Sequence, residues 1–194
     1  GGGYNDLYVT MVRTGEAGPK GISCLVIEKD MKGVSFGANE RKLGWRSQPT
    51  AQVNFDNVRV PKENLIGELG QGFKFAMSGL DGGRLNIGAC SLGGAQRCLD
   101  EAIKHTKERK QFGKSISDFQ ATQFTLADME TKLQAARTLL YTAACKVTEN
   151  AKDKTQFAAM AKRFATDSGM EIADSALQLH GGYGYLMDYP IERF

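Results

Sequence analysis

Cysteine, histidine and long apolar runs are scarce in this sequence, and each scarcity removes a class of protein. Four cysteines, Cys24, Cys90, Cys98 and Cys145, occur in 194 residues without any C-x-x-C spacing. On one continuous helix Cys90 and Cys98 stand ~12 Å apart, too far to bridge, so reduced and packed thiols are expected. His105 and His180 are the two histidines, and neither sits in a metal-type motif, so no metal is expected. No apolar run approaches the ~18 residues that cross a bilayer, and no membrane span is expected. The Gly1-Gly2-Gly3 start is unlike a signal or transit peptide, and the abrupt beginning suggests a piece of a longer chain. The net charge is only +3, and the one basic stretch lacks interleaved aromatics. Nucleic acid is therefore not the expected partner.

What remains is ordinary globular composition, 41% hydrophobic and 24% charged, in a chain long enough to bury a core. The first third reads as strands. Leu7, Val9 and Met11 alternate with Tyr8, Thr10 and Val12, and Ile22 to Ile27 is β-branched and apolar after a turn-rich stretch. Val34 to Phe36 forms a further short strand. Val53 and Phe55 alternate until the phase shifts at Asp56-Asn57, which predicts a bulge before Val58 and Val60, with Pro61 ending the strand. Trp45 is read as a packing residue on a loop.

After Gly67 to Gly72 the period changes from two to about 3.6 and does not change back. The boundary is placed there: residues 1–66 form part of a β domain and residues 67–194 a helical domain. Ser117-x-x-Gln120 predicts a capping box for a helix whose stripe is Leu126, Met129, Leu133, Ala136, Leu140, Ala143 and Val147. Asp153-x-x-Gln156 predicts the cap of the next, with the stripe Phe157, Ala161, Phe164, Ser168, Ile172, Ser175 and Leu179. Pro190 opens a further helical segment. The fold class is α+β, an antiparallel β domain followed by an antiparallel four-helix-bundle-type domain, cut short.

The stretch from Gly79 to Gly113 organises the rest. Leu85, Leu92 and Leu99 fall seven apart, interleaved with Ala89 and Ala95 and followed by Ala102 or Ile103, an apolar stripe on a long helix. Gly82 and Gly83 interrupt it at about 1 kcal/mol each. Asp81 and Arg84 flank them, three apart. Two readings fit the spacing, a turn with a surface ion pair and a place where a ligand or backbone comes close. At the far end Lys104, Lys107, Arg109, Lys110 and Lys114 gather with only Glu108 against them. They suit a phosphate, or a solvated basic face at a helix C-terminus. Gly181-Gly182 in QLHGGYGY reads as a helix C-cap followed by a tight loop.

Taken together, ERKQFG, LADM and Gln178-Leu179-His180-Gly181-Gly182-Tyr183-Gly184-Tyr185, followed by Asp188 and Arg193, resemble the acyl-CoA dehydrogenases from end to end. GPKGISCLVIEK, LGWRSQPT and GLDGGRLNI are most similar to the branch that oxidises isobutyryl-CoA in valine degradation. The short-chain and 2-methylbutyryl-type members are the alternatives within the family. The resemblance implies FAD as cofactor, with Arg109 on its pyrophosphate, Phe119 and Gln120 nearby, and Gln178, Leu179, His180, Gly181 and Gly182 at the adenosine end across a subunit interface. It implies that Asp81, Gly82, Gly83 and Arg84 line the acyl-CoA site.

Family chemistry is removal of an α-proton by a carboxylate while a hydride leaves Cβ for the flavin. In most members the base is a glutamate that would follow Phe194, and in isovaleryl-type enzymes it lies where this chain has Gly83. No catalytic base is therefore expected within these residues, and the 194-residue piece, truncated at both ends, is expected to be inactive alone. The resemblance also implies a homotetramer in the mitochondrial matrix that passes electrons to electron-transfer flavoprotein. An assembly protein that kept the fold and lost the chemistry is the competing class, since fold does not fix function. A flavin-containing nucleic-acid binder is a third.

Overall fold

The computed structural model describes all residues from Gly1 to Phe194 and divides into two compact units, Gly1–Gly79 and Leu80–Phe194. In the first, β1 (Leu7–Arg13) pairs antiparallel with β2 (Ile22–Glu28) in the register Leu7 to Glu28 through Arg13 to Ile22. β2 also pairs with β5 (Leu65–Ile66), giving the order β1-β2-β5. β3 (Val34–Asn39) and β4 (Ala51–Phe55) form a separate hairpin. Cys24, Ile27 and Ser23 are buried on β2, while the alternate face of edge strand β1 leaves Leu7, Val9 and Met11 uncovered within this unit.

Helix α1 (Gly72–Ser78) packs on β2 and β1 and so belongs to this unit. Its first residue must be glycine, because a Cβ there would lie 2.5 Å from the Ser23 backbone. The expected bulge at Asp56-Asn57 is corrected. The irregularity lies between Phe36 and Asn39, β4 ends at Phe55, and Asn57 turns the chain with φ 50°. Pro61 ends no strand but precedes a 3-10 turn at Lys62–Asn64, where its fixed φ fits the entry. Trp45 is 65% exposed and packs on little.

The second unit is three long helices, α2 (Leu80–Glu108), α3 (Gln120–Thr148) and α4 (Lys154–Leu179). Asp81 meets Thr155 at one end and His105 stacks on His180 at the other, so α2 and α4 run parallel with α3 antiparallel to both. One core joins them, including Leu92, Leu99, Met129, Leu133, Leu140 and Ile172, and Ile191 from the last 3-10 turn closes it.

Two stripes are phased differently from the expectation. On α2, Ala89 is exposed and Gly88 is buried in its place; a Cβ at Gly88 would come within 2.9 Å of Leu140 Cδ1. On α4 the buried line runs Ala158, Ala161, Ala165, Ser168, Ile172 and Ala176, leaving Phe164 40% exposed and Ser175 and Leu179 half-buried. Alanine at the seam lets the α2 and α4 backbones approach, which a phenylalanine would prevent.

Both capping boxes are corrected as well. Ser115 and Asp118 form the box, on the 3-10 turn Ile116–Asp118, and α3 starts at Gln120 behind Phe119 without a side-chain cap. Asp153 does stand at the N-cap of α4, but its carboxylate accepts from Lys146 at 2.7 Å instead of from its own helix. That ion pair lowers the Asp153 pKa. All four cysteines are free; Cys24 and Cys98 are buried, whereas Cys90 and Cys145 are exposed rather than packed. Burial raises the Cys98 thiol to about 11. No helix is long and apolar enough to cross a membrane.

Candidate cofactor and substrate sites

The C-terminal ends of α2 and α4 lie side by side and leave a cleft of about 530 Å³. Arg109, the first residue past α2, and Gln178, Leu179, His180, Gly181 and Gly182, at the end of α4, line it together. Gly181 has φ 58°, the left-handed geometry that turns the chain out of the helix and that favours glycine. A Cβ at Gly181 or Gly182 would meet nothing within 4 Å, so the backbone there is open to a ligand.

The cleft wall is aromatic. His180, 4% exposed, donates from Nδ1 to the Ala176 carbonyl at 2.8 Å and stacks on His105 with ring centroids 4.3 Å apart. Tyr183 lines the cleft beside them, and Tyr189, outside the lining, stacks on it at 5.0 Å. Arg109 lies over the Tyr183 ring and donates to its hydroxyl at 3.2 Å. Burial, helped by the nearby His180 and Arg109, lowers the His105 pKa. His105 carried no sequence signal as a site residue, and Tyr183 only as part of the QLHGGYGY motif, because their meeting depends on two helix ends far apart in the chain.

Arg109 separates from the rest of the basic cluster. Lys104, Lys107 and Lys110 are exposed and do not reach the cleft. A tight hairpin follows, β6 (Lys110–Gln111) against β7 (Lys114–Ser115), with Phe112 and Gly113 both at positive φ in its turn. Gln111 and Ile116 contribute to the cleft rim. Phe119 and Gln120 lie outside the lining: Phe119 meets Phe112 edge-on and carries Lys114 Nζ 4.2 Å above its ring, and Gln120 is exposed at the start of α3. Arg109 offers a rigid cationic fork to a phosphate, and the open glycine backbone and the faces of His105 and Tyr183 offer room and stacking surface for a flat group.

The other group of expected residues sits at the opposite end of α2. Asp81 to Arg84 occupy its first turns as helix rather than as a turn between helices. Arg84 Nη1 donates to Asp81 Oδ1 at 2.7 Å, and Thr155 Oγ1 donates to Asp81 Oδ2 at 2.7 Å. No atom would come within 4 Å of a Cβ at Gly82 or Gly83. The helix therefore carries two glycines that no protein contact demands. No group of three or more His, Cys, Asp or Glu side chains converges anywhere. A depression of about 740 Å³ in the β unit, beside Arg41, Lys42 and Arg46, contains none of the expected site residues.

Residues 70–194 match the model for the acyl-CoA dehydrogenase C-terminal domain, and residues 1–58 match that for the middle domain. The chain belongs to the FAD-dependent acyl-CoA dehydrogenase family. It is 56% identical to the mitochondrial isobutyryl-CoA dehydrogenase of Dictyostelium discoideum, covering 100% of this chain and 47% of that protein. It is 49% identical to the caffeyl-CoA reductase-Etf complex subunit CarC of Acetobacterium woodii, over 91% of this chain and 46% of that one. Butyryl-CoA dehydrogenase from Megasphaera elsdenii superposes with a TM-score of 0.94 at 43% identity, covering 99% of this chain and 50% of that structure. The chain thus spans about half the length of these relatives.

Proposed function

We propose that the full-length protein is a flavin-dependent dehydrogenase of a short branched-chain acyl-CoA, converting isobutyryl-CoA to methacrylyl-CoA in valine degradation. The observation that carries this reading is the convergence of Arg109 with Gln178–Gly182 on one cleft suited to a dinucleotide. Arg109 offers its planar fork to the pyrophosphate, and Gly181 and Gly182 let main-chain groups approach the adenosine end. Phe119 and Gln120, which line no part of this cleft, belong to the cofactor site by the family resemblance alone. FAD, when bound, supplies the hydride acceptor.

At the other end of α2, Asp81, Gly82, Gly83 and Arg84 receive the acyl-CoA. Gly83 offers no proton acceptor, and by the family resemblance the α-proton goes to a glutamate that would follow Phe194. Isobutyryl-CoA is preferred as substrate because the relative at 56% identity bears that name. That relative is mitochondrial by name, which supports the matrix as location. The relative named as a subunit of an Etf complex supports electron-transfer flavoprotein as electron partner. The ~40 Å of helix between Gly83 and Arg109 supports an assembly, a tetramer by family resemblance, in which one copy's cleft completes another copy's centre.

The test is anaerobic reduction of the full-length flavoprotein by isobutyryl-CoA, butyryl-CoA and 2-methylbutyryl-CoA. The highest kcat/KM is expected with isobutyryl-CoA. A preference for either of the others reassigns the substrate within the family. Full flavin content without reduction by any acyl-CoA overturns the enzyme reading in favour of an assembly role.

A further inference from the structure

Asp81 uses both carboxylate oxygens inside the protein, one for Arg84 and one for Thr155, 74 residues away in the chain. Thr155 lies in the first turn of α4 and Asp81 in the first turn of α2. Two parallel helices therefore present their N-terminal, partly positive ends to one carboxylate. A hydroxyl bonded to an ionised oxygen at 2.7 Å is a charge-assisted contact, stronger than one between neutral groups. It leaves the Asp81 side chain, 15% exposed, with a single orientation.

Arg84 inherits that orientation. Its side chain is 33% exposed, and its bond to Asp81 occupies one of five guanidinium N–H groups. Arg84 directly follows Gly82 and Gly83 in the chain, where nothing would come within 4 Å of a Cβ. The one donor proton of the Thr155 hydroxyl goes to Asp81, and through that carboxylate Thr155 influences the guanidinium.

We propose that Thr155 is a positioning residue of the acyl-CoA site, holding Asp81 so that Arg84 presents its free donors to the thioester ligand in one geometry. This rests on the assignment of Asp81 to Arg84 to that site. Losing the tie frees two side chains that must be ordered again on binding, at a cost that corresponds to roughly a threefold to tenfold weaker Kd.

The experiment uses the flavin-loaded full-length protein and measures the Kd of free CoA and of isobutyryl-CoA by calorimetry, with flavin content and Tm alongside. Thr155→Val and Thr155→Ala should each raise Kd threefold to tenfold with flavin content unchanged, and Thr155→Ser should restore it. Ala favours a helix where Val does not, so the two Tm values should diverge while the two Kd values agree. In an Arg84→Ala background, Thr155→Val should add nothing. Wild-type Kd in Thr155→Val beside weakened binding in Arg84→Ala overturns the positioning role and leaves the site assignment standing. Unchanged Kd in Arg84→Ala itself overturns the site assignment and this inference with it.

Discussion

Arg109 is the one cation of its cluster that lines a cleft, and its polar partner there is a phenol rather than a carboxylate. The guanidinium is thus ordered without being neutralised, which is the state an incoming phosphate needs. Arg109→Ala in the full-length protein should weaken FAD retention by about ten- to a hundredfold, the range for losing a hydrogen bond to a charged group. Equilibrium flavin titration of the apoprotein measures it, and an unchanged Kd would return Arg109 to the solvated basic face. His105 makes a pH prediction at the same scale. Burial and its cationic neighbours hold its pKa below the ordinary 6.5, so through that window the unfolded chain binds more protons than the folded one. Its contribution to stability is present above the ordinary value and is lost as pH falls through the folded one. Tm should therefore drop on acidification from about pH 7 to about pH 5, and His105→Phe, which keeps a stacking ring, should lessen that drop. An identical pH profile in the variant would remove His105 as its cause.

Gly88 shows what the elements require of one another. It faces Leu140 on α3 and Ala165 on α4, whereas Gly93, a little further along the same helix, has nothing within 4 Å of a Cβ position. Gly88→Ala and Gly93→Ala gain the same helix propensity, but the first must displace Leu140 in a packed core. Urea unfolding should place Gly88→Ala below Gly93→Ala by about 1–3 kcal/mol. Equal stabilities would mean that the three helices are not closely packed there. The same contacts explain how far the elements were legible in the sequence. Periodicity located the three helices and the α3 stripe because large residues mark that face. On α4 it favoured Phe164 and Ser175 over Ala165 and Ala176, since helices that approach closely bury alanine and leave larger side chains at the rim. The capping patterns misled for a different reason: Asp153 had a stronger partner in Lys146, and a 3-10 turn before α3 moved the box to Ser115 and Asp118. Of the site, the residues that carry a motif were readable. The tie from Thr155 to Asp81 and the stacking of His105 on His180 were not, because they arise only when distant helix ends meet.

At the scale of the molecule, the decisive fact is that the two groups of candidate site residues stand at opposite ends of α2. A rise of ~1.5 Å per residue separates Gly83 from Arg109 by roughly 40 Å. The ribityl chain that joins a flavin ring to its pyrophosphate is far shorter than this. Under the proposed site assignments, Gly83 and Arg109 of one copy would therefore serve different centres, and each centre would draw on two copies. This predicts complementation. Arg84→Ala and Arg109→Ala, each impaired alone at limiting FAD and acyl-CoA, should regain activity when co-expressed, because a mixed pair contains one centre with both arginines intact and one with neither. Random pairing makes half of the pairs mixed, and half of their centres intact, so about a quarter of the wild-type rate is expected. If both arginines instead served one copy's centre, every copy in a mixed pair would carry a lesion and nothing would be regained. Activity of mixed pairs purified through different tags on the two variants, expected at about half the wild-type rate because one of their two centres is intact, decides between the two arrangements.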